Sequence, residues 1–153
     1  MPLRVGWVDD TALIRQLAVR IIERSGHTCR SFPRHVDLLE ADGQEPFDVV
    51  VLQPEDAVTP RSTQQRLLAR CPRRAIALAS GHSVERLRDT LDVDPAAFDR
   101  FIPKPFDARA LVAWLDLLEA GDRVSEPRPV MADGVHGTSA REAWNLLELP
   151  AAN

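Results

Sequence analysis

Cysteine is scarce in this chain. Only Cys29 and Cys71 occur among 153 residues, and they do not stand at a CxxC spacing. That excludes a disulfide scaffold and a zinc module, and it leaves two thiols expected to be buried or half-buried. Long apolar runs are missing too. No stretch approaches the ~18 residues that a membrane-crossing helix needs. The opening Met1-Pro2-Leu3-Arg4-Val5-Gly6-Trp7-Val8 has no long apolar segment ending in a small-residue cleavage site, so it does not read as a secretion signal. A cytoplasmic protein is the expectation. Neither charge sign dominates: 19 basic residues against 23 acidic ones leave −4, with the signs interspersed. A nucleic-acid binder needs a basic stripe for phosphates, so direct nucleic-acid contact is not expected. The densest basic group, Arg70, Arg73 and Arg74, reads as a solvated face. His27, His35, His82 and His136 follow no metal-ligand spacing and read as solvated side chains. Lysine is nearly absent. Lys104 is the only one beside 18 arginines, which makes it worth following.

What the chain does have is alternation. At 44% apolar and 27% charged it has the composition of a soluble globular domain, long enough to bury a core without staples. Leu3–Val8 is a short strand-like run stopped by Asp9-Asp10. Thr11–Ser25 puts Leu13, Leu17, Ile21 and Ile22 at helical spacing, with Gly26 as the stop. Thr28–Phe32 reads as a strand and Arg34–Ala41 as a helix ended by Asp42-Gly43. Phe47–Leu52 is continuous and β-branched, the pattern of a strand buried on both faces, and Gln53-Pro54 ends it. Pro60–Arg70 reads as a helix, with Pro60 suited to its first turn. Ala75–Ala79 is a strand, Val84–Leu91 a helix and Phe98–Ile102 a strand. Asp107 is placed to cap a helix over Ala108–Ala120, whose stripe is Leu111, Trp114, Leu115 and Leu118. Five strand-then-helix units imply an α/β domain with a parallel sheet covered on both faces.

In such a sheet the chemistry gathers at the carboxyl ends of the strands. Asp9 and Asp10 stand there after the first strand, Gln53 after the third, Ser80 after the fourth and Lys104 after the fifth. Four matched pieces carry a resemblance: Val8-Asp9-Asp10, Phe47-Asp48-Val49-Val50-Val51-Leu52-Gln53, Leu78-Ala79-Ser80-Gly81-His82, and Phe101-Ile102-Pro103-Lys104-Pro105-Phe106. In this order and at these intervals they are similar to the receiver domain of two-component response regulators, over roughly residues 2–120. The resemblance implies a CheY-like, flavodoxin-like (βα)5 fold, doubly wound, with strand order 2-1-3-4-5. It also implies roles. Asp9 and Asp10 match the acidic pair that binds Mg²⁺, an ion that favours hard oxygen ligands. Ser80 matches the hydroxyl recruited by the phosphoryl group, although a one-residue slide would put Ala79 there. Lys104 matches the lysine that pairs with the phosphoryl and acceptor carboxylate, and Phe101 lies at the aromatic switch position. Lys104-Pro105 matches a peptide bond usually cis in the family.

One departure outweighs these matches. The family's nucleophilic aspartate ends the third strand, five residues after the Asp48 position, and here that residue is Gln53. A carboxylate can attack a phosphodonor and become an acyl phosphate; an uncharged amide cannot. Losing that carboxylate leaves Asp9, Asp10 and Lys104 at −1, so either no cofactor or weakly bound Mg²⁺ is expected. Gln53 is expected to hydrogen-bond Lys104 or the acidic pair, with Lys104 as counter-ion to Asp9 and Asp10. The reading is a degenerate receiver that is not an enzyme and acts as a signalling interaction module. Its expected partners are a histidine kinase, an output protein or another regulator, with a homodimer as a further option and no membrane contact. The surface from the fourth strand through the last helix is the expected docking face, with Trp114 and Trp144 as interface candidates. Two alternatives stay open: a displaced phosphoacceptor at Glu55 or Asp56, and a response to a small ligand. Beyond the domain (1–120), residues 121–138 read as a Pro/Gly linker. Ser139–Leu149 read as a capping box followed by a short amphipathic helix. That is too little for a helix-turn-helix.

Overall fold

A computed structural model describes residues 1–121. The expected linker, the helix over 139–149, Trp144 and His136 lie outside the described residues. The strands are β1 (Arg4–Val8), β2 (Thr28–Phe32), β3 (Val49–Leu52), β4 (Ala75–Ser80) and β5 (Arg100–Pro103). They form one parallel sheet in the order β2-β1-β3-β4-β5. The helices are α1 (Ala12–Arg24), α2 (His35–Gln44), α3 (Pro60–Arg70), α4 (Val84–Asp89) and α5 (Ala108–Glu119). The parallel α/β architecture matches the alternation, and the doubly wound, flavodoxin-like strand order is the one the resemblance implies.

Strand side chains alternate between the two faces, so a continuous apolar run must find cover on both. Val5, Trp7, Val49, Val51, Ala77, Ala79 and Ile102 pack with Ala18 and Ile22 of α1 and with Leu111, Trp114 and Leu115 of α5. Val8, Val50, Leu52, Ile76, Leu78 and Phe101 pack on the other side with Leu38, Leu67 and Leu87 from α2, α3 and α4. Gly6 falls on that second face. A Cβ there would come within 2.6 Å of Leu38 Cδ1 and 3.0 Å of Phe47, so a side chain at this point would have to displace the buried Leu38.

Helix ends follow local chemistry. Gly26, at φ +94, takes the left-handed turn after α1. Asp107 accepts the Ala110 N–H at 3.0 Å, as its capping position suggests. Thr59 caps α3 before Pro60, and Ser83 caps α4.

Several boundaries differ from the sequence reading. α2 runs through Asp42-Gly43 to Gln44, because Asp42 is committed to tertiary partners and does not break the helix. α4 closes at Asp89. A 3-10 turn over Pro95–Ala97 precedes β5, which begins at Arg100 instead of Phe98. β3 begins at Val49 instead of Phe47. Asp48 uses its carboxylate to accept the Arg4 N–H at 2.8 Å, and its backbone still bridges to Arg4 and Arg74. Among the described residues no helix is long and apolar enough to cross a membrane.

Candidate functional site

The strand ends deliver Asp9, Gln53, Ser80 and Lys104 to one edge, as their order predicts. Asp9 is fully buried and both its carboxylate oxygens are engaged. Oδ1 accepts the Thr11 N–H at 2.9 Å, and Oδ2 is ion-paired with Lys104 Nζ. Lys104 is further positioned by its own N–H, which donates to the Ser80 carbonyl at 2.9 Å. The Lys104–Pro105 bond is cis. Asp10 is exposed beside the buried pair.

Gln53 is buried, and its Oε1 accepts the Asp10 N–H at 2.9 Å. The amide therefore meets the acidic pair through its backbone and not through Lys104. From behind, His35 Nε2 stands 2.9 Å from the Gln53 carbonyl, while His35 Nδ1 stands 2.8 Å from Thr63 Oγ1. A carbonyl can only accept, so Nε2 carries the proton and Nδ1 accepts from the threonine hydroxyl. Burial holds the His35 imidazole below its usual pKa, against smaller opposing effects from Asp56 and the Gln53 carbonyl. The Asp56 carboxylate accepts the His35 N–H at 2.8 Å and the Val58 N–H at 3.3 Å, so it is spent on the start of α2. Glu55 is paired with His82 Nε2.

Of the two candidates in β4, Ser80 is the one at the edge. Ala79 lies in the apolar core shared with α1 and α5. Ser80 is the last residue of β4, buried, with Oγ accepting the His82 N–H at 3.0 Å. Phe101 is 1% exposed and turned into the opposite core.

Four sequence expectations need correction. His27 and His35 are buried, not solvated. His35 is held as described, and His27 Nδ1 accepts the Leu3 N–H at 3.2 Å. Arg73 is no part of a solvated face. Its side chain is 0% exposed and grips the buried Asp42 carboxylate through two nitrogens, with Arg70 adding a third contact at 3.1 Å. Trp114 is a core residue of α5, 4% exposed, with the Arg100 guanidinium 6.0 Å from its ring, so it is not a free interface anchor. The thiols do match: Cys29 is buried and Cys71 half-buried. Burial, with a contribution from Glu23, pushes the Cys29 thiol up to about 12, which leaves it inert as a nucleophile. The His35–Gln53 and Asp42–Arg73 contacts could not be read from local pattern, because each joins residues 18 and 31 positions apart.

No family model and no curated protein matches the chain by sequence. Solved structures do. The BeF3-activated DrrB receiver domain superposes with a TM-score of 0.65 at 20% identity, covering 78% of this chain and 99% of that one. The PhyR response regulator receiver domain of Erythrobacter litoralis gives 0.64 at 15%, covering 78% and 92%. A CheY-like receiver from Methylobacillus flagellatus gives 0.64 at 18%, covering 77% and 99%. The chain has the receiver fold. A fourth neighbour, the receiver domain of the sensor histidine kinase PA1611 of Pseudomonas aeruginosa, holds a magnesium ion in its active-site cleft (TM-score 0.63, 12% identity, covering 78% and 99%).

The residues at this edge fit such an ion poorly. Mg²⁺ dehydrates reluctantly and needs anionic oxygens to offset that cost. In this receiver fold Asp9 is committed to Lys104 and Thr11, Gln53 brings no charge, and Asp10 alone presents an exposed carboxylate. A second group, His27 with Asp116 and Glu119, brings three potential ligand atoms within 4.8 Å. There Nδ1 already accepts the Leu3 N–H, so Nε2 keeps its proton. At Nε2 the ring thus carries an N–H, with Asp116 Oδ1 3.4 Å away but no hydrogen bond made, instead of a lone pair for a metal.

Proposed function

We propose that this receiver-fold chain is a signalling module that works by docking to protein partners without carrying phosphate. The observation that supports this reading is Gln53. An uncharged amide ends β3, and its oxygen is occupied by the Asp10 N–H. The lysine that would meet a phosphoryl group is instead ion-paired with Asp9. The edge is thus closed by its own charges, and Asp9, Asp10, Ser80 and Lys104 act as a structural cluster that fixes one conformation. Partners of the receiver type (a histidine kinase, an output protein or another regulator) recognise the surface so fixed, and the protein has no enzymatic role.

The displaced-acceptor alternative has less to stand on. Asp56 is tied to the α2 backbone and Glu55 to His82. Incubating the full chain with a small phosphodonor and Mg²⁺, then measuring intact mass, tests the proposal. An unchanged mass is expected. A gain of one phosphoryl group that maps to Asp10, Glu55 or Asp56 would overturn it.

A further inference from the structure

A groove of about 480 Å³ runs between α1 and α5. Ile21, Ala108, Val112 and Ala113 supply its apolar lining, and Arg24, Arg109 and Asp116 are the charged residues beside them. The same side of α1 continues at helical spacing into Leu17 and Leu13, which are 44% and 71% exposed. Together these side chains make this side of α1 and α5 a candidate docking face.

We infer that this groove is the docking site for the chain's own C-terminal segment, residues 139–149. Three observations favour this occupant. The first is chemistry. Ala140, Ala143, Trp144 and Leu147 stand at i, i+3, i+4 and i+7, the anchor spacing of a helix laid into a groove. The second is reach. The groove lies on α5, so its far end is roughly 17 Å from Glu119 at 1.5 Å per residue. Seventeen residues, 122–138, stand between α5 and that segment, and at a maximum of about 3.3 Å each they can cover this distance. The tether is therefore long enough for the segment to reach the groove of its own molecule. The third is charge. Residues 139–153 carry Glu142 and Glu148 against Arg141, and the groove carries Arg24 and Arg109 against Asp116. A segment too short to hold a helix alone thereby gains the apolar surface it lacks.

The test is an NMR measurement on the full isotope-labelled chain. The expected result is a set of nuclear Overhauser contacts from the Trp144 indole to methyl groups of Ile21, Val112 and Ala113, unchanged on dilution. In a mixture of labelled and unlabelled chains, these contacts should arise within one molecule. Amides of residues 140–148 should exchange at least about tenfold more slowly than in the isolated peptide. Ala113→Glu puts a charge on the groove wall and should abolish both signals while the sheet resonances stay in place. Indole contacts seen only between differently labelled copies would overturn the inference, because the occupant is then a second molecule. So would an indole without contacts to α1 and α5. The contacts in the unsubstituted chain decide the matter even if Ala113→Glu fails to fold.

Discussion

Asp42 and Asp9 are both sealed from solvent and both answered by a basic side chain, yet they sit at opposite ends of the same sheet. Asp42 lies at the amino end, where β3 and β4 begin. Its two oxygens take Arg73 through two nitrogens, Arg70, and the Phe47 N–H at 3.0 Å. Nothing is left over for a ligand, and the arrangement ties α2 to the chain entering β3 and β4. Asp9 lies at the carboxyl end, paired with one lysine that is 19% exposed, and with the exposed Asp10 beside it. A buried pair is worth most when every partner is hydrogen-bonded and least when one side is open. The first cluster is scaffold. The second keeps one carboxylate, Asp10, open to solvent.

Breaking each pair should expose that difference. Arg73→Met leaves Asp42 buried without its main partner and should cost about 3–5 kcal/mol in urea unfolding. Lys104→Ala leaves Asp9 with the Thr11 N–H and nearby water, and should cost less, about 1.5–3 kcal/mol. Adding Asp9→Asn to Lys104→Ala should recover part of that loss, a coupling that a double-mutant cycle reads directly.

Acid separates the two ends further. Burial alone would raise the Asp42 carboxyl, but hydrogen bonds from Arg73, the Phe47 N–H and Arg70 outweigh it and hold the group below the usual carboxylate range. The unfolded chain then binds this proton more readily. The stabilisation is complete above about pH 4 and drains as pH falls through the folded value. Asp42→Asn should remove that acid limb from a stability-against-pH curve. A gentler slope should begin higher. His35 is held neutral by burial, so its contribution is complete above about pH 6.5 and declines as the unfolded chain takes up a proton below that. His35→Gln should flatten the curve between pH 6.5 and the carboxylate range. An unchanged slope would mean His35 is not the group responsible.

Much of this was legible in sequence because it rests on local pattern. The β-branched run Val49–Leu52, the Asp107 cap and the order of Asp9, Gln53, Ser80 and Lys104 fix the elements and the edge they share. The rest depended on distance along the chain. Arg73 looked solvated because it belongs to the densest basic group with Arg70 and Arg74, and only the fold brings it to Asp42, 31 residues earlier. His35 looked like a lone surface residue because Thr63 and Gln53 come from other elements. Trp114 was legible as part of an apolar stripe, which left both core and interface open, since what covers a stripe is a tertiary fact. Gln53 was legible as an amide where the resemblance implies a carboxylate, while its bond to the Asp10 N–H is a tertiary fact.

The most direct measurement compares the natural chain with Gln53→Asp, both incubated with a small phosphodonor and Mg²⁺, with the modified position mapped by peptide mass. The account predicts an unmodified natural chain and a phosphoryl group on residue 53 of the variant. A phosphoryl group on any acid of the natural chain at this edge would contradict it.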